Sequence, residues 1–469
     1  MKNYKIKIAL FSLGVATLLS CNKVKNFGDT NVNPANITSP ATYAILTNVL
    51  AGAGTNTGIW PLAKDNSATL WIQYASETQY PSAGLYAIPT YGLGAYTGSL
   101  LNLKTIIQAN NNPDEVAVAR ILTQYIYWNL TDALGSIPYS EALQGFPPKF
   151  DKQEDIYKGM IAELTAASNQ IQNTGGLKGD ILLGNDAAKW KKFANSLRAM
   201  MAIQLTKRYP GANDYAAVEF RAAITDGVIT SNADNVKLVF PGGSFKNQYW
   251  ADHDGQRDNG ESTQIFNMLS SLGDGRQAAF GSSSVPVPHG IKEATINAWI
   301  KANINWSRIL ADNQRLETSP IYILTASQVF LARSEAAFRG WTGPGAPGLT
   351  TENSVDLLKQ GVDASFAQWG IALPPASYYN APHTLQKIVE QAFLAGFPNG
   401  RAGWNIYRRT GFPVLTPAPD PLNAAHTTIP RRYTYTTTEY SLSPAGVAFG
   451  ISQLVPAADT QEARIWWDQ

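Results

Sequence analysis

Val118-Ala119-Arg120-Ile121-Leu122-Thr123-Gln124-Tyr125-Ile126-Tyr127-Trp128 leads, three residues on, into Thr131-Asp132-Ala133-Leu134-Gly135-Ser136-Ile137-Pro138-Tyr139-Ser140-Glu141-Ala142, and the two stretches carry the reading of the fold. In the first, Val118, Ile121, Leu122, Tyr125 and Trp128 recur at steps of three and four residues, which sets them on one face of an α-helix. In the second, Asp132 follows the apolar run, and Gly135 and Pro138 stand where a helix stops and turns. A long helix ending in a Gly–Pro turn is predicted.

The same period returns further along the chain. Trp190, Phe193, Ala194, Leu197 and Met201 form a second face; Phe330, Ser334, Ala337, Phe338 and Trp341 a third; Leu385, Ile388, Val389, Ala392 and Phe393 a fourth. Further helices are predicted near 153–172, 214–227, 262–272 and 353–369. Strand signals are few, the best being Val236–Phe240 and Tyr433–Thr436. Long stretches rich in Gly, Pro, Tyr and Trp lie between, near 77–98, 241–320 and 411–445. The expected fold is mainly α: tetratricopeptide-like stacked helical hairpins with loop-rich insertions and a few short strands, although no tetratricopeptide consensus recurs.

The N-terminus predicts export. Lys2, Lys5 and Lys7 precede an apolar run, Ile8 to Leu19, that is shorter than the roughly 20 residues of a membrane-spanning helix. Ser20-Cys21 follows, a small residue before the chain's one cysteine. Residues 1–20 therefore read as a lipoprotein signal peptide, Cys21 as the lipid-bearing residue, 21–42 as an extended leader and 43–469 as a single domain. One thiol cannot close an internal disulfide, so no disulfide framework supports the fold. A single acyl chain holds a membrane marginally and two hold it stably.

Composition narrows the function. The three lysines of the signal exceed the chain's net charge of +2, so the body is slightly acidic and lacks the footprint of a nucleic-acid binder. Charged residues make up 15% of the chain and aromatic residues 11%, a balance suited to uncharged or mixed ligands. Catalytic motifs are missing: the four histidines are scattered, and neither HExxH, GxSxG nor GxxxxGK[ST] occurs. Asp252, Asp254 and Asp258 form a candidate calcium loop, but Arg257 and Thr263 stand where an EF-hand needs Gly and Glu. The sequence predicts no enzyme and no cofactor.

Together these motifs resemble the SusD/RagB family of outer-membrane nutrient-binding lipoproteins of the Bacteroidetes, its second SusD-like branch above all. The likeness rests on Asn31-Val32-Asn33-Pro34, on Thr131–Ala142, on Gly179-Asp180 with Trp190–Arg198, and on Ala233-Asp234-Asn235-Val236. Leu331–Ala336 with Gly340-Trp341, Arg408–Pro413 and Ile429–Arg432 complete it. Two departures stand out: Asp274-Gly275-Arg276 replaces the family's Asp-Pro-Arg, and Asn22-Lys23-Val24-Lys25 lacks the acidic cluster associated with surface export. Physically these motifs read as scaffold, with Arg408 and Arg409 pairing acids such as Glu335 or Asp132.

The resemblance implies a lid over a TonB-dependent (SusC-like) barrel, lipid-anchored in the outer membrane and facing outward, that captures an oligosaccharide or peptide. Alternatives are a surface glycoside hydrolase, or a structural lipoprotein with no small ligand of its own. A sugar site needs rings for stacking beside placed polar groups. The candidates are Tyr80, Tyr86, Tyr91 and Tyr96, then Trp250, and then Trp299 and Trp306 with Arg308.

Overall fold

A computed structural model describes residues 41–52, 66–87, 90–173, 175–252 and 257–469. Cys21, most of the leader and Asp254 lie outside the described residues. The body from Thr42 to Gln469 packs as one unit.

Seventeen α-helices and six short strands occur among the described residues. The first half carries α1 (Thr42–Ala51), α2 (Asn66–Trp71), α3 (Ser99–Ala109), α4 (Pro113–Leu134), α5 (Gln153–Gln170), α6 (Ala187–Gln204) and α7 (Tyr215–Thr225). A loop-rich middle follows, with α8 (Gln248–Ala251), α9 (Thr263–Leu272), α10 (Gln277–Phe280) and α11 (Glu293–Ala302). The second half carries α12 (Ala326–Phe338), α13 (Ser354–Gln368), α14 (Leu385–Gly396), α15 (Gly400–Thr410), α16 (Thr437–Leu442) and α17 (Pro444–Ser452). The strands are β1 (Ala75–Glu77), β2 (Ile137–Pro138), β3 (Phe150–Asp151), β4 (Val236–Leu238), β5 (Asn259–Glu261) and β6 (Ile321–Leu324). They form three antiparallel pairs, β1 with β5, β2 with β3 and β4 with β6.

From α3 to α7 each helix packs on the next, α12 joins at α6, and α13, α14 and α15 continue the stack. This is the predicted arrangement of stacked helical hairpins. No described helix is long and apolar enough to cross a membrane.

Local chemistry sets the helix ends. Asn112 caps α4 through Oδ1, which accepts the N–H groups of Asp114 and Glu115, with Pro113 at the first helical position. At the far end the Gly135 N–H bonds the Thr131 carbonyl, and φ there is 91°, a value glycine adopts without strain. The chain then turns into β2, where the Asp151 carboxylate accepts the N–H groups of Tyr139 and Ser140. α6 buries Trp190, Phe193, Ala194, Leu197 and Met201 completely, the face read from its period.

Two expectations need correction. Tyr433–Thr436 is not a strand, because its backbone groups are spent elsewhere. The Tyr433 N–H bonds Ala133, the Tyr435 N–H faces Asp459, and the bridge of Thr434 to Thr90 is an isolated one. On α12 the buried side chains include Val329, Leu331, Ala332 and Ala336, whereas Phe338 is 42% exposed. The helix is packed on several sides by α6, α13 and α14, so a single apolar stripe does not describe it.

Candidate ligand-binding cleft

The polar motifs of the sequence are internal fasteners. Glu335 receives both terminal nitrogens of Arg409, one of them at 2.7 Å, and Arg339 Nε at 2.8 Å. The nearby guanidinium groups hold its carboxyl below the usual range against the opposing effect of burial. Asp180 accepts the Leu182 and Leu183 N–H groups and the Trp190 indole. Asn235 Oδ1 accepts the Ala326 N–H at the start of α12. The departing motif Asp274-Gly275-Arg276 makes a fully buried bidentate pair, Nε to Oδ1 at 3.0 Å and Nη2 to Oδ2 at 2.6 Å. An internal cavity of ≈ 70 Å³ beside Asp132, Gln204, Glu335 and Arg409 belongs to this scaffold, since its charged groups already hold one another.

An open cleft of different character lies in the middle of the chain. Its walls come from short extended segments woven together. β1 pairs with β5; Glu261 donates its N–H to Ser307; Arg308 donates to the Ser282 hydroxyl and accepts the Ser282 N–H. The resulting space of ≈ 350 Å³ is lined by Arg257, Ser282, Ser283, Ile304, Asn305, Trp306, Arg308 and Asp312. It adjoins a wider hollow of ≈ 760 Å³ that shares Ser282, Ser283 and Asp312 and extends to Gln277 and Gly281. The smaller volume already falls in the range of about 300–1,000 Å³ found for ligand pockets.

Trp306 is only 6% exposed: its ring packs with Val287 and Ile296, so little of it reaches the cleft. Trp299 leans on the same small cluster. Ile304 stands 74% exposed at the rim. Asp312 pairs with Arg315 at 2.5 Å, and Arg315 Nη1 also bonds the Ile309 carbonyl at 3.0 Å.

Behind the cleft sits Glu261, a fully buried carboxylate without an ion pair among the described residues. It accepts the Ser307 hydroxyl at 2.7 Å and the Gln277 amide at 2.7 Å. Burial pushes its carboxyl up to about 7, and the two hydrogen bonds offset only part of that rise. Gly281 makes room for it, since a Cβ there would come 1.8 Å from Glu261 Oε2. Ser307 also accepts the Ser283 N–H, so Glu261, Ser307 and Ser283 form a chain that sets the cleft wall.

The four loop tyrosines separate. Tyr86 is buried, its hydroxyl accepts the Ala418 N–H at 2.8 Å, and burial pushes its pKa up to about 12. Tyr96 donates its hydroxyl to the Pro138 carbonyl and lies edge-on to Tyr127. Tyr91 is half-buried between the Tyr433 ring, 5.2 Å away, and the Arg401 guanidinium, 4.8 Å away. Tyr80 alone of the four is exposed, at 75%. It lies two residues beyond Thr78, whose N–H bonds the Asp258 carbonyl next to Arg257. Trp250 is half-buried, with the Lys246 ammonium 4.2 Å from its ring centre.

Trp306 and Arg308 thus share one cleft with the start of the Tyr80 loop nearby, while Tyr86, Tyr91 and Tyr96 belong to the packed body. Among the described residues no group of three His, Cys, Asp or Glu side chains could hold a metal ion. The sequence did not nominate Arg257, Ser282, Ser283, Asn305 or Asp312. Arg257 stood within the acidic loop read for calcium, and Ser282-Ser283-Ser284 was a visible polar run in the 241–320 stretch.

No curated protein matches the chain. A chitin-binding SusD homologue of Flavobacterium johnsoniae aligns with a TM-score of 0.77 at 23% identity, over 91% of this chain and 98% of that one. SusD homologues of Bacteroides thetaiotaomicron and Bacteroides uniformis both align at 0.76, with 22% and 21% identity and the same shares of each chain. At these identities the likeness establishes the fold. The model of the SusD-like family described as starch-binding and associating with the outer membrane matches residues 34–436, and the chain belongs to that family.

Proposed function

We propose that this protein is a nutrient-binding lipoprotein of the outer membrane. Cys21 carries its lipid, the mid-chain cleft captures an oligosaccharide outside the cell, and a TonB-dependent, SusC-like barrel receives it. The observation that carries the reading is the cleft itself: hydroxyl, amide and guanidinium groups beside Trp306, in a family described as starch-binding. Rings and hydrogen-bonding groups together suit the apolar faces and hydroxyls of a sugar.

The hydrolase alternative fares worse on geometry. Glycoside hydrolysis ordinarily needs two carboxyl groups facing each other across the bond. Asp312 is the only acid among the described residues that line the smaller cleft, and Arg315 holds it. Glu261 is fully buried behind the wall.

The test is a calorimetric titration of the full-length protein in detergent against a panel of oligosaccharides and peptides. Saturable glycan binding without shortened products is the expected result. Shortened products would establish the hydrolase instead. A protein that bound neither sugar nor peptide but co-purified with a barrel would be the structural lipoprotein.

A further inference from the structure

We infer that the cleft takes an acidic oligosaccharide, and that a carboxylate or sulfate of the sugar sits between the guanidinium groups of Arg257 and Arg308. This rests on the glycan-binding reading above and adds the ligand's charge to it.

The argument starts from how the chain uses arginine. Most of its arginines hold an acid, as Arg120 holds Glu163, Arg333 holds Glu352 and Arg432 holds Asp459. The others hold a carbonyl or lie over a ring: Arg221 bonds the Ala212 and Trp341 carbonyls, and Arg208 lies over Trp466. Only Arg257 and Arg308 have, among the described residues, no acid, carbonyl or ring against the guanidinium, and both line the same cleft. Their backbones are close in the weave: Arg308 bridges Gly260, three residues after Arg257.

Arg308 is half-buried, so part of its hydration is lost and no group among the described residues replaces it, while Arg257 is exposed. A guanidinium in that position favours an anion, because its planar fork matches the paired oxygens of a carboxylate or sulfate. Among the described lining residues the one acid is Asp312, and Arg315 already holds it. The open charge that these residues present is therefore positive.

The rest of the lining favours a sugar over a bare ion. Ser282 accepts the Arg308 N–H through its oxygen, which leaves its own O–H to donate. The Asn305 side chain is exposed, and Ile304, 74% exposed, supplies apolar surface for a ring face.

The experiment is a glycan array carrying neutral, carboxylated and sulfated oligosaccharides, with acidic peptides as a further arm. It is probed with the full-length protein, with Arg257→Gln and Arg308→Gln, and with Lys189→Gln on α6 as a charge-matched control. The wild type and the control should bind acidic glycans, and methyl esterification or desulfation should weaken binding at least tenfold. Each arginine substitution should do the same with an unchanged unfolding temperature. The carboxylated and sulfated arms tell the two acids apart. Neutral glycans binding equally well, or acidic ones surviving both substitutions, would overturn the acidic ligand and leave glycan capture standing. Binding of acidic peptides alone, or of nothing on the array, would overturn both.

Discussion

The Trp467 indole N–H donates to Asp132 Oδ1 at 2.8 Å, joining residues 335 positions apart. The Tyr157 hydroxyl shares that oxygen at 2.6 Å, and the Asn405 amide donates to Oδ2 at 2.5 Å. Arg408 Nη1 donates to the Asp132 backbone carbonyl at 2.8 Å. One carboxylate thus fastens α4, α5, α15 and the C-terminal turn. Burial raises its pKa, and the Arg408 charge with these donors works against that rise.

Removing a single donor should cost a modest amount. Trp467→Phe keeps an aromatic ring and deletes the N–H, and should lower stability by about 1–3 kcal/mol in urea denaturation. Asp132→Ala, which orphans three donors at once, should cost more. Equal costs for the two would mean that the indole bond dominates the network.

The Arg409–Glu335 pair gives a different signature. Arg409→Ala leaves Glu335 buried with Arg339 alone, and a loss of about 3–5 kcal/mol is expected. Replacing both partners, as Arg409→Met with Glu335→Leu, should recover much of it, because the charge then left without its acid is the partly exposed Arg339, not a buried one. A double variant as unstable as the single one would show that the pair contributes by more than mutual neutralisation.

These fasteners explain how much was legible in the sequence. Periodicity found α4 and α6 because a helix repeats its core face every three to four residues, and α6 buries all five residues of that face. The partner of Arg409 was legible because a buried guanidinium needs an acid, and Glu335 was an acid within the same set of motifs. Arg408 differs from that expectation: it donates to the backbone carbonyls of Asp132 and Arg431 and to the Asn405 amide oxygen instead of a carboxylate. The cleft was harder. Arg257, Ser282 and Asp312 come from separate segments that meet through backbone bonds such as Ser282 with Arg308, and no local period announces such a meeting. Loop aromatics misled for the same reason: nothing in the spacing of Tyr80, Tyr86, Tyr91 and Tyr96 says that Tyr86 turns inward to Ala418.

Glu261 should make stability depend on pH near neutrality. Its folded pKa of about 7 lies above the ordinary carboxylate range of an unfolded chain. The folded state therefore binds the proton more tightly, so its stabilising effect is fully present at low pH and is lost as pH rises through about 7. The shift corresponds to about 3 kcal/mol. Relative to wild type, Glu261→Gln should show a flatter dependence of unfolding free energy between pH 5 and pH 8. Parallel curves for the two proteins would remove Glu261 from the account.

Cys21 tests the anchor apart from the cleft. Cys21→Ser should move the protein from the membrane fraction to the soluble fraction, with the same unfolding temperature and glycan affinity. Retention in the membrane fraction after alkaline washing would mean that something other than lipid holds it.

Tyr80 and Tyr86 separate binding from stability within one loop. Tyr80 is 75% exposed, so Tyr80→Ala removes a ring that packs on little and should leave the unfolding temperature unchanged. If the ring stacks on a sugar at the cleft, glycan affinity should fall several-fold, as expected for about 1 kcal/mol of aromatic contact. Tyr86→Ala should do the opposite. It opens a cavity and leaves the buried Ala418 N–H without an acceptor, at a cost of about 3–5 kcal/mol, with ligand contacts untouched. A Tyr80→Ala protein that binds glycan as tightly as wild type would confine the site to the Trp306 and Arg308 side of the cleft.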